Sequence, residues 1–344
     1  MRARTAVVRL LLEIWVFTQL LLISAACLSA QSGQKAQNAP QPDSQIAEAP
    51  QPTAATSAPP LMPAPPPGAS SEIITSAPAL LIRDGFSEPE SVLYDPGADV
   101  YLVSNLNGGP DDHDDNGFIS RVSPEGKVLA LKWIDGARME VELHAPKGMA
   151  IVGDVLYVAD IDHIRKFNVH SGAWLGAIAV PGASALKAMS AAPDGSLFFT
   201  DVGARAIGRR LEPTGQDAVY KLVREQPRAV FRGKPLNQPN GLWADASGVW
   251  VVTFGANELY EVKSGNKANA QKLPAGVLAG LVKSNDGRIF VSSWETNQIW
   301  EGELGGEFQV AYDIESPADI GYDSKRDWLL IPIILDNAIK LQPL

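Results

Sequence analysis

One phrase recurs six times in this chain, and no other feature limits its fold so strongly. The first copy is PESVLYD at residues 89–95; the others are PKGMAIV (146–152), LKAMSAA (186–192), PNGLWAD (239–245), LAGLVKS (278–284) and PADIGYD (317–323). Each leads through a turn into a second apolar run: DVYLVSN, DVLYVAD, SLFFTD, GVWVVTF, RIFVSSW and DWLLIPI. A third run follows most of these, as in GFISRVS, IRKFNVH, AVYKLVR and NELYEVK. Breakers such as Asp95-Pro96-Gly97 between β-branched and aromatic runs mark antiparallel pairs. The second residues of the phrases are Glu90, Lys147, Lys187, Asn240, Ala279 and Ala318, at spacings of 57, 40, 53, 39 and 39 residues. A four-stranded propeller blade takes roughly 40–50 residues, and several blades are needed to bury one another's faces. The sequence therefore predicts an all-β, six-bladed β-propeller of four-stranded blades, with loop insertions behind the two long spacings. A β-sandwich of short strands would give no reason for the repeated phrase.

The sixth copy supplies only three strands before Leu344. Residues 73–82, IITSAPALLI, precede the first copy and are expected to add the missing outer strand, closing the ring and hiding a sheet edge.

Residues 1–30 begin with Arg2, Arg4 and Arg9 and turn apolar through residues 10–23, broken by Glu13. This is the pattern of a secretory signal, too short for a membrane span. The only cysteine, Cys27, directly follows Ser24-Ala25-Ala26, and ISAAC resembles a lipoprotein box apart from Ser24. Lipidation at Cys27 and plain cleavage after Ala30 both remain open. Residues 31–71, rich in Pro, Ala, Gln and Ser, are too poor in large apolar groups to offset chain entropy and read as a disordered linker. Residues 72–344 are then one propeller domain. The expected location is exported, either periplasmic or at the outer membrane or cell surface as a lipoprotein. Membrane contact is expected only through an N-terminal lipid anchor, and the domain is expected to be monomeric. A net charge of −10 with no basic block argues against nucleic acid.

In a propeller the innermost strands line the central channel, so the six aligned residues should converge at its mouth. The phrases PESVLYD, LHAPKGMAIVGDVLYVADID, QPNGLWAD and ADIGYD resemble the senescence-marker-protein/gluconolactonase family, which includes regucalcin and the luciferin-regenerating enzyme. The resemblance spans residues 73–344. It implies a six-bladed propeller that holds one divalent metal at the channel mouth and hydrolyses sugar lactones and related esters. By the same resemblance, a metal-binding Glu falls on Glu90 and the Asn of a PNG phrase on Asn240. The family's fifth-blade Asp falls on Ala279, however, and its substrate-contacting third-blade Asn on Lys187. Loss of a carboxylate and gain of positive charge both oppose a hard cation. Lys187 is instead placed to pair with Glu90 and occupy the cation's position.

If the site is catalytic without metal, Lys187 is the expected electrophile and His144 the expected general base, since an imidazole titrates near 6.5. The bland reading of His144 is a loop hydrogen-bonder. Lys147, Lys187 and Asn240 are the expected substrate-binding residues. Asp160 and Asp201, at the ends of second strands, are expected to cap turns. His113, His163 and His170 receive no role.

A second cation candidate is DHDDNGFIS in the first blade. Asp112, Asp114 and Asn116 before Gly117 match the first half of a calcium loop, although position twelve is Ser123. Its alternative is a solvated acidic turn. The only cofactor the sequence suggests is a divalent cation, calcium or similar. There is no G-x-S-x-G elbow, no H-E-x-x-H, no C-x-x-C and no P-loop. Two functions stand: a lactone or ester hydrolase with an incomplete channel metal site, and a non-catalytic propeller that binds a small molecule or a protein.

Overall fold

The computed structural model describes residues 78–207 and 210–344. The expected signal segment with Cys27, the linker and residues 72–77 lie outside the described residues. Among the described residues, six four-stranded antiparallel sheets follow one another along the chain. From inner to outer strand the first blade is Pro89–Asp95, Val100–Asn105, Phe118–Val122 and Val128–Asp135. The inner strands of the next four are Pro146–Val152, Leu186–Ala191, Pro239–Asp245 and Leu278–Lys283. The sixth blade runs from Gly321–Asp323 through Trp328–Ile333 and Ala338–Pro343 to its outer strand, Leu80–Ile82. That outer strand pairs Leu80 with Leu341 and Ile82 with Ile339, the closure expected from the sequence.

The long spacings have visible causes. Loops at residues 106–117 and 136–145 lengthen the first blade, and a two-stranded hairpin, Ala204–Ile207 with Arg210–Pro213, interrupts the third.

Alternating residues of facing blades bury one another in a separate apolar cluster at each junction. Val158 and Leu102 lie in the cluster between the first and second blades, and Val252 and Val291 in that between the fourth and fifth. On the turn face, Asp99 of the first blade takes both terminal guanidinium nitrogens of Arg326 in the sixth, each at 2.8 Å. Asp323 accepts from Tyr101 at 2.7 Å beside that pair.

The recurring phrase has a mechanical reason. The inner strands of the first five blades each carry a register shift in their first few residues, between Pro89 and Ser91, Pro146 and Met149, Leu186 and Met189, Pro239 and Leu242, and Leu278 and Leu281. Such a bulge leaves residues out of the ladder and re-aims their side chains. It also presses one inner strand against the next. A Cβ added to Gly148 would lie 2.4 Å from the Lys187 carbonyl, and one on Gly280 would lie 2.3 Å from the Ile320 nitrogen. Hydroxyls on second strands tie the freed backbone across blades. Thr200 accepts from the Ala188 amide at 3.1 Å and donates to the Asn240 carbonyl at 2.7 Å. Ser292 links Gly280 to the Ala318 carbonyl in the same way, at 2.7 Å each.

Gly280→Ala should accordingly cost about 2–3 kcal/mol, because backbone rather than a movable side chain opposes the new methyl. The midpoint of urea unfolding measures this, and an unchanged midpoint would contradict the packing described.

Candidate functional site

The bulges carry the aligned residues to the channel mouth, where two of them meet. The Lys187 ammonium donates to Oε1 of Glu90 at 2.9 Å. These residues belong to the third and first blades, so the pair spans the position of the second. Both are largely enclosed, with side-chain exposures of 18% and 9%. A carboxylate removed from water requires such a partner.

Lys147, between them in blade order, is fully buried and turns elsewhere. Its ammonium donates to the carbonyls of Pro110 at 2.8 Å and Ala145 at 2.9 Å, pinning the first-blade loop to the second blade. Burial, with the Lys187 charge adding to it, pulls this amine down to about 8. Asn240 gives its amide to the Leu278 carbonyl at 2.9 Å. Ala279 and Ala318 are buried methyl groups.

The sequence reading missed Asp319, which follows the aligned Ala318. Its backbone N–H donates to the Glu90 carbonyl at 2.9 Å, and its Oδ2 accepts from the Ser91 hydroxyl at 2.9 Å. Desolvation by the surrounding ring, with the Glu90 charge adding to it, pushes this carboxyl up to about 7. The available signal was the PAD phrase itself, which puts an acid one place after the aligned column.

His144 is buried beside this mouth and bound by its surroundings. Its Nδ1 lies 3.1 Å from both the backbone amide and the Oδ1 of Asp115. The His113 ring lies 4.9 Å from it, centre to centre. Asp160 receives the amides of His144 and Ala145 at 3.1 and 2.7 Å and pairs with the buried Arg165 at 2.7 Å. Asp201 does the same for Ser184 and Ala185. Both acids fix the segment that enters their blade's inner strand; Asp201 also caps the turn that follows, accepting from the Gly203 amide at 2.9 Å, whereas the bonds of Asp160 run to the entering segment and to Arg165.

Left-handed backbone recurs just before the inner strands, at Glu88, Gln238, Val277 and Ser316. For β-branched Val277 this conformation is strained, and strain of this kind collects at functional mouths. Beside the mouth lies a cavity of about 270 Å³ lined by Asp111, His113, Ile161, Asp162, Ser184 and Arg205 among others. Asp162 is paired there with His163 at 2.7 Å.

Neither cation candidate has a convergent donor set. Among the described residues no group of three or more His, Cys, Asp or Glu side chains is arranged to hold a metal ion. In the first-blade loop, Asp112 turns back to the Gly109 amide at 3.0 Å, and Asp114 accepts from the Asn116 side chain. Gly117 is needed because a Cβ there would lie 2.4 Å from the His144 carbonyl, a packing reason unrelated to ion binding. At the channel, the ammonium beside Glu90 stands where a divalent ion would have to bind. The divalent metal that the sequence resemblance implies therefore does not fit the residues present.

No protein-family model matches the sequence, and no curated protein is detectably similar to it. Solved structures do share its architecture. A gluconolactonase from Xanthomonas campestris superposes with a TM-score of 0.60 at 16% identity, covering 77% of this chain and 89% of that one. A luciferin-regenerating enzyme gives 0.58 at 12% identity, over 78% of this chain and 96% of its own. Virginiamycin B lyase from Staphylococcus aureus gives 0.53 at 14%, over 78% and 98%. At these identities the likeness to gluconolactonases, a luciferin-regenerating enzyme and a lyase is one of fold alone.

Asp319 yields a test with a defined sign. The folded protein holds its proton more tightly than the unfolded chain, so this group's contribution to stability falls as pH rises from about 4 to about 7. Asp319→Asn, whose amide oxygen can still accept from Ser91, should match the parent near pH 4. At pH 8 it should exceed the parent by on the order of 2 kcal/mol, below the full shift because the channel admits solvent. Urea midpoints at both pH values measure this; a gain at pH 4 equal to that at pH 8 would contradict it.

Proposed function

We propose that this protein acts on a small lactone or ester at the channel mouth, with the Lys187 ammonium serving as electrophile in place of a metal ion. The observation that carries this reading is the Glu90–Lys187 contact at 2.9 Å, which holds an ammonium at the convergence point of the bulged inner strands. The shared fold with gluconolactonases supports the substrate class, and fold alone does not fix chemistry.

In this reading the carbonyl oxygen of the substrate receives a hydrogen bond from the Lys187 ammonium, which stabilises the negative charge that develops as water adds to the carbonyl carbon. Asp319, whose Oδ2 is held by Ser91, offers Oδ1 to accept the proton of that water. The acyl C–O bond then breaks and the alkoxide takes up the proton from Asp319, so that a lactone leaves as a hydroxy acid and an ester as an acid and an alcohol. Asn240 and Glu90 orient the groups around the carbonyl. His144, with Nδ1 occupied by the Asp115 amide, is a positioning residue for the first-blade loop in this scheme. We further propose that the domain works outside the cytoplasm, on the strength of the arginine-led apolar segment at residues 1–30.

A second reading is favoured by one observation. Lys147 and Asn240 already have backbone partners, as expected of a rigid receptacle that binds a small molecule without turnover.

A panel of sugar lactones and aryl esters decides between them. Hydrolysis should resist EDTA, and Lys187→Ala should lower kcat/KM by roughly 10²–10³, the usual loss for one oxyanion donor. Lys187→Arg should retain part of the activity. Saturable binding of a panel member without product formation would favour the receptacle, and hydrolysis unaffected by Lys187→Ala would exclude the proposed electrophile.

A further inference from the structure

The channel holds two carboxylates from adjacent blades and one ammonium from a blade that touches neither. Glu90 and Asp319 are joined through backbone, the Asp319 N–H donating to the Glu90 carbonyl at 2.9 Å, and the Glu90 charge adds to the cost of ionising Asp319. An ionised carboxylate buried there calls for a cation. Lys187 supplies it by reaching from the third blade to Glu90 in the first. Lys147 stands nearer in blade order, but two carbonyl oxygens hold its ammonium.

We propose that Lys187 is the resident cation of a latent oxygen-donor site. Its tethered ammonium makes cation occupancy a fixed property of the chain, and a neutral residue at position 187 would open Glu90 and Asp319 to a hard divalent ion. The donors left behind are two carboxylates with the Ser91 hydroxyl beside them, the oxygen chemistry that calcium and manganese(II) favour. A free ion cannot displace the lysine readily, because the ammonium is covalently attached and its effective concentration at Glu90 is set by the fold. Permanent occupancy removes dependence on ion supply. It also gives up the stronger polarisation that a divalent charge exerts. This inference does not depend on hydrolysis, since it concerns which cation the carboxylates hold.

The test uses calorimetric titration of full-length protein with calcium chloride and with manganese(II) chloride at pH 7.5. Every variant also carries Asp114→Ala, so that the first-blade loop contributes nothing. The parent should show no saturable binding up to millimolar ion. Lys187→Met, close in length and uncharged, should bind one ion at least tenfold tighter than the parent and gain thermal stability on adding it. Lys187→Arg should behave as the parent, and adding Glu90→Gln to Lys187→Met should abolish the gain. Lys187→Ala serves as a second neutral variant; should either neutral variant fold only when the ion is present, that rescue reports the same site. An equimolar ion in the parent, lost with Glu90→Gln, would overturn the proposal. So would folded Lys187→Met and Lys187→Ala proteins that both bind no ion.

Discussion

The bulge at the start of the first five inner strands is the constraint on which the rest depends. Propeller blades must approach closely at their inner edges, and a regular ladder would leave no room for functional side chains there. Releasing residues from the ladder solves both problems, because the freed side chain turns toward the channel mouth and the next blade packs against the bared backbone. Hydroxyls at Thr200 and Ser292 then satisfy the backbone groups that the bulge leaves open. Fold and site are thus one feature. In the first five blades, a residue that appears at the mouth does so because its strand had to break register to fit the ring.

Within that ring the Glu90–Lys187 contact decides what chemistry is open. A solvated ion pair contributes little, but this one is largely enclosed, and loss of one partner would strand a buried charge at a cost of several kcal/mol. The pair therefore acts both as a strut between non-adjacent blades and as the polar centre of the channel. Structures of like fold carry the descriptions gluconolactonase and lyase, so the fold by itself does not fix the chemistry.

Much of this was legible in the sequence, for a physical reason. The phrase repeats because glycine, or a residue nearly as small, is demanded where one inner strand abuts the next in the first five blades, as at Gly148 and Gly280. Packing of that kind leaves a periodic imprint on sequence. The outer strand from residues 80–82 was legible because the sixth copy lacked one. Lys187 beside Glu90 was legible as charge complementarity in a shared column. Asp319 was not, since the inner strand of the sixth blade pairs only over Gly321–Asp323 and lacks the register shift of the other five, so its offset differs from theirs. The second partners of Lys147 and His144 were hidden for another reason. They are backbone atoms of a long first-blade loop, and a backbone carbonyl or amide has no sequence signature.

The last blade takes strands from both ends of the domain. Leu80 pairs with Leu341, residues separated by nearly the whole length of the ring, and Asp99 grips Arg326 across the same seam. Contacts so distant in sequence form slowly, because a long loop must close before they can reward it. During synthesis the first strand must wait, unpaired, until the final one has been made. Five blades can mature in order as the chain lengthens, but the ring acquires its cooperativity only at that closing step. A chain truncated even a few residues before Leu344 would thus lose the seam that locks the other blades, a loss out of proportion to the residues removed.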